Sequence, residues 1–127
     1  MASLFGFRTR SPQRDRETDR ERFARLDNLL EEITAQISAE RNGLERRYSE
    51  SSVNAGFLAD AIDNEEAATG SSARLAAMTD DLINYENRLA ALSRQIVLLH
   101  DLRARSQAIF QEQNEADSVP KKASGDH

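Results

Sequence analysis

The chain has 127 residues, 39% of them hydrophobic and 31% charged, with a formal net charge of −5 and no cysteine or tryptophan. That composition excludes disulfides and thiolate metal sites, argues against a general polyanion binder, and suits a thin helical protein with much surface and little interior. No apolar run approaches the roughly 18 residues that cross a bilayer, so the expectation is a soluble, cytoplasmic protein.

Residues 1–12 lack any sustained period and are read as a flexible N-terminal segment. Leu4, Phe5, Gly6 and Phe7 are too few for a signal-peptide core before Arg8 and Arg10 follow. Phe5, Phe7, Arg8 and Arg10 are instead the candidates for N-terminal docking, into a partner's groove or onto an anionic membrane. From Arg14 to Arg22 the charges alternate in sign, as suits a solvated helix held by pairs three and four apart. Through Arg25 the chain carries seven arginines against four acids, whereas residues 26–70 carry three arginines against ten acids. The interleaved Asp15, Glu17, Asp19 and Glu21 cancel the cationic run that DNA contact requires, so nucleic acid is not an expected partner.

Two starts compete for the first helix. Ser11 offers a cap with Pro12 at the first helical position, and Thr18 with Glu21 offers a capping box. The expectation is a frayed start near 13 that firms near 19. Apolar residues then recur as Phe23, Leu26, Leu30, Ile33 and Ile37, with Glu40 and Leu44 next in phase. Tyr48, Ser51, Ala55, Leu58 and Ile62 follow, offset by four where three is due, which reads as a stutter near Gly43. This helix is expected over about 19–68, with the serines and Asn54 of residues 47–54 leaving a break open.

Thr69-Gly70-Ser71-Ser72 is the expected turn, 69–72, with glycine ending one helix and serine capping the next. The second helix, about 72–115, carries the strongest signal. Leu75, Met78, Leu82, Tyr85, Leu89, Leu92, Ile96 and Leu99 alternate at spacings of three and four, a seam that stays dry only against another helix. It continues through Arg103 and Ser106 to Phe110. Residues 116–127 read as a disordered tail.

The expected fold is all-α: a long antiparallel helical hairpin (coiled coil) over 13–115, associating into a four-helix bundle. With the turn centred near Gly70, the numbers of facing residues should total about 140. That sets Ile62 against Met78, Leu44 against Ile96 and Leu30 against Phe110, and brings Glu40 near His100. Leu29, Phe57, Val97, Leu98, Leu102 and Ile109 fall outside the seams. Burying each such side chain is worth about 1.5–3 kcal/mol, so a homodimer or higher oligomer is expected. Ile96, Val97, Leu98, Leu99, Leu102 and Ile109 are its candidate interface.

The chain has no glycine-rich phosphate loop, no Glu-x-x-His pair, and no calcium-loop spacing around Asp60, Asp63, Glu65 and Glu66. Its histidines, His100 and His127, suggest no nucleophilic triad. No catalytic, cofactor-binding or metal-binding residue is assigned, and no enzymatic activity is expected. The expected role is a scaffold, adaptor or small chaperone that contacts itself and another protein. The alternative is a peripheral membrane-associated oligomer whose aromatic and basic N-terminus touches the membrane surface weakly; a DNA-associated factor ranks third. In overall format the chain is similar to the coiled-coil stalk proteins of bacterial export machines, a likeness of architecture.

Overall fold

The computed structural model describes residues 11–118, which form α1 over Pro12–Asp63 and α2 over Ser71–Ser118, packed against each other as a helical hairpin. The N-terminal docking candidates Phe5, Phe7, Arg8 and Arg10 lie outside the described residues, as does the expected tail beyond Ser118. Contacts group into two compact units. The first joins the chain up to Ile33 to the chain from His100 onward; the second is Thr34–Leu99.

Of the two competing starts, Ser11–Pro12 is the one used. The Ser11 carbonyl accepts from the Asp15 amide at 3.0 Å, its hydroxyl accepts from the Arg14 amide at 3.4 Å, and Pro12 opens the helix. The Thr18 hydroxyl donates instead to the Arg14 carbonyl, so it forms no capping box. α1 then runs without interruption through residues 47–54.

The protected side of α1 differs from the expected seam. Residues shielded from solvent recur as Phe23, Asp27, Leu30, Thr34, Ile37, Arg41 and Leu44, then Tyr48, Ser51, Ala55, Leu58 and Ile62. These alternate at four and three throughout, so the stutter does not exist. It arose from taking Leu26, Ile33 and Glu40 in place of the polar Asp27, Thr34 and Arg41 one residue later. Arg41 holds such a position with its Nε buried and without a hydrogen bond, 3.9 Å from the Glu45 carboxylate. On α2 the seam is as expected: every residue named from Leu75 to Phe110 is half-buried or buried, and Leu92 is fully enclosed.

The connection between the helices is earlier and longer than the expected 69–72. α1 ends at Asp63, five residues before 68. The Glu66 amide reaches back to the Ala61 carbonyl at 2.8 Å and the Glu65 amide to Ile62 at 3.1 Å, with Glu65 at φ 59°. This pair of bonds is a Schellman closure with a glutamate at the left-handed position that glycine normally fills. Gly70, at φ 87°, does the corresponding work at the start of α2: its carbonyl accepts from the Arg74 amide. Ser71 is buried and its hydroxyl donates to the Ala68 carbonyl at 2.6 Å. The capping role expected of serine therefore falls to Gly70.

The earlier turn resets the register. In the first unit Phe23 stacks on Phe110, with ring centroids 4.3 Å apart. In the second the Tyr48 hydroxyl donates to Glu86 at 2.7 Å. Facing numbers total about 133, one heptad short of the expected 140. Leu44 is level with Leu89 instead of Ile96, and Phe110 meets Phe23 instead of Leu30.

A left-handed conformation costs an L-residue about 1–2 kcal/mol. Glu65→Gly should therefore stabilise the hairpin by about 1 kcal/mol once the added freedom of the unfolded chain is subtracted. Gly70→Ala should destabilise it by about 1 kcal/mol. Urea denaturation followed by helical circular dichroism measures both, and an unchanged or lowered midpoint for Glu65→Gly refutes the assigned closure.

Candidate interaction surfaces

With the seam at positions a and d of the heptad, each remaining position has a defined place around its helix. Ile96 is 8% exposed and Leu99 half-buried, so both belong to the hairpin's own interior and are not free for a partner. Val97 at 69%, Leu98 at 64%, Leu102 at 48% and Ile109 at 60% exposure point outward. The expected interface stripe therefore divides into two seam residues and four surface ones. Sequence reading missed three further exposed aliphatics, Leu26, Val53 and Ile83.

In the first unit, the seam is flanked on one side by Leu26 and Ile33 of α1 and by Leu102 and Ile109 of α2, all at position g. Leu29 adjoins them and is half-exposed. With Phe23, Leu30 and Phe110 of the seam, this g flank makes an apolar strip that continues past the contact between the two helices onto the exposed surface.

The other face of this unit carries its charged centre. Arg103 grips Asp27 through both guanidinium edges, Nε to Oδ1 and Nη2 to Oδ2, each at 2.8 Å, and Gln107 Nε2 donates to the same carboxylate at 2.8 Å. Glu31 lies 3.5 Å from Arg103. Asp27 and Arg103 occupy seam positions, with about a third of each side chain exposed. The Arg103 hydrogen bonds hold Asp27 below the ordinary carboxylate range; partial burial opposes this and Gln107 reinforces it. Beside this centre and the Phe23–Phe110 stack opens a groove of about 210 Å³ reaching Arg20 and Ala24.

In the second unit position g carries no large aliphatic residue, and its members Glu40, Arg47, Asp81 and Arg88 are charged. Arg88 and Glu40 meet there in a two-pronged pair at 2.7 and 3.1 Å, both about half exposed. The guanidinium lowers the Glu40 pKa. This corrects the expected approach of Glu40 to His100, which is exposed. Such surface pairs are worth about 0–1 kcal/mol and serve alignment more than stability. Tyr48 is the second alignment point, its phenol pKa raised because the Glu86 carboxylate accepts its hydrogen bond and its negative charge disfavours the phenolate.

The outward side of α2 in this unit carries two apolar rows. Ala76, Ile83, Ala90 and Val97 recur every seven residues at position b, and Ala77, Ala91 and Leu98 share position c with Asn84. α1 has only the Val53–Phe57 pair of large exposed apolar residues in this unit, with Phe57 at 70% exposure beside a groove of about 500 Å³ that reaches Arg74 and Met78. Asp60, Asp63, Glu65 and Glu66 are all exposed. Among the described residues no group of three or more His, Cys, Asp or Glu side chains is placed to hold a metal ion, and no helix is long and apolar enough to cross a membrane.

Comparison of the chain with protein-family models, curated proteins and solved structures returns no match.

Asp27 provides a pH test. Its folded pKa lies below its unfolded value, so the unfolded state binds more protons at acid pH. The stability it contributes is fully present at neutral pH and is lost as pH falls below the ordinary aspartate value of about 4 and through the lower folded one. Asp27→Asn should be less stable than the parent at pH 7, with the gap closing in acid. An equal gap at both extremes, read by urea denaturation, removes the assigned role.

Proposed function

We propose that this chain is a non-enzymatic, self-associating helical hairpin that serves as a scaffold, adaptor or small chaperone through its outward apolar rows. The supporting observation is the exposure of Leu26, Leu29, Val53, Phe57, Ile83, Val97, Leu98, Leu102 and Ile109, each at 42–70%. Isolated surface aliphatics need no explanation, but aligned rows of them mark interaction sites. Six of the nine follow the heptad: Leu26, Leu102 and Ile109 on the g flank of the first unit, and Ile83, Val97 and Leu98 at the b and c positions of α2 in the second. At about 1.5–3 kcal/mol for each large side chain taken fully from water, a row provides enough driving force for association.

In this reading two copies bring four helices together, and surface left uncovered by the second copy is offered to another protein. The geometry also accounts for division of labour along each helix. Glu40–Arg88 and Tyr48–Glu86 keep the second unit aligned by polar contacts at its edges, whereas the first unit presents aliphatic edges.

Sedimentation equilibrium of the full chain tests the reading. A dimer or higher oligomer is expected at tens of micromolar. A monomer at that concentration overturns the self-association on which the proposal rests.

A further inference from the structure

We infer that the second copy docks on the outward face of α2 in the second unit, antiparallel, with a two-fold axis passing beside Asn87. This rests on the self-association proposed above and specifies its surface. Three parallel rows make the face: position b to one side, position c to the other, and Asp80, Asn87 and Arg94 at position f between them. All three f residues are exposed, and neither Asp80 nor Arg94 has an ion-pair partner among the described residues.

The face is complementary to itself. A two-fold axis relating antiparallel helices keeps like positions on the same side, so b meets b, c meets c and f meets f. The same rule operates inside the hairpin, where Glu40 and Arg88, both at g, meet. Centring the axis at Asn87 sets Asp80 against Arg94 of the second copy, and Arg94 against its Asp80. The two charges left without partners in one chain are thereby both matched.

The same centre also satisfies the packing. On the b side Ile83 lies against Ala90 of the second copy and Val97 against its Ala76. On the c side Leu98 lies against Ala77 and Asn84 against Ala91. Each large side chain meets an alanine, which lets two helices approach closely without voids. Ile83, Val97 and Leu98, now 49%, 69% and 64% exposed, would all be covered. Asn87 meets its own counterpart on the axis, where paired amides donate and accept reciprocally and fix the register, as a single asparagine does in a coiled-coil core. Charge, size and amide pairing therefore agree on one centre. The g flank of the first unit stays free for a different protein.

Charge reversal and cross-linking test this. Asp80→Arg alone, or Arg94→Asp alone, creates two like-charge oppositions and should weaken self-association at least about tenfold. The double variant Asp80→Arg with Arg94→Asp should restore it, and circular dichroism checks that each remains helical. Because the chain has no cysteine, Asn87→Cys supplies a unique thiol that should form a disulfide-linked dimer on mild oxidation, whereas Glu50→Cys on α1 should not. Oligomers that persist without cross-linking at 87 and without response to charge reversal overturn this face while leaving self-association standing. A monomeric parent overturns both.

Discussion

The bidentate grip of Arg103 on Asp27 is the interaction on which the rest of the hairpin depends, because apolar packing alone cannot choose how the two helices align. A seam that repeats every seven residues looks the same after a slide of seven. Leucines and isoleucines on α2 find acceptable neighbours on α1 in either alignment. A polar pair within the seam breaks that degeneracy. Sliding by one heptad toward the total of 140 sets Asp27 level with Gln113 and takes it away from the guanidinium, leaving two half-buried charges without each other. The Phe23–Phe110 stack and the Tyr48–Glu86 and Glu40–Arg88 contacts are made in this alignment.

The same reasoning explains what sequence could reveal. α2 was readable because its seam positions from Leu75 to Leu99 are all apolar, so spacing and chemistry coincide. α1 was readable in kind but not in phase. Asp27, Thr34 and Arg41 sit on its protected side while Leu26 and Ile33, one residue earlier, offer a more greasy but rotated alternative. Accepting those neighbours forced an apparent stutter into a regular repeat. The turn misled for a related reason: Gly70 is the one glycine in its neighbourhood, yet the left-handed position that ends α1 belongs to Glu65. Nothing in a glutamate announces that role, and placing the turn late shifted every cross-helix pairing with it.

Surface assignment depended on the same half-turn distinctions. Ile96, Val97, Leu98 and Leu99 are four consecutive aliphatics, and only a settled phase separates the two that close the hairpin from the two that face outward. Reading every seventh residue, alanines included, would have exposed the second row through Ala76, Ile83, Ala90 and Val97. Alanine carries little hydrophobic signal by itself, but its recurrence opposite larger residues is a packing signal. The g positions hold a comparable contrast, since aliphatic pairs in one unit give way to Glu40 and Arg88 in the other.

An apolar lining on two opposing sides makes α2 intolerant of changes in length. One extra residue in its middle turns everything beyond it by about 100°, throwing the inner lining toward water and the outer one sideways in the same stroke. Loss of seven residues from α2, matched by seven from α1, leaves both linings in phase. Viable length variants of this molecule should therefore differ by whole heptads, removed or gained in both helices together.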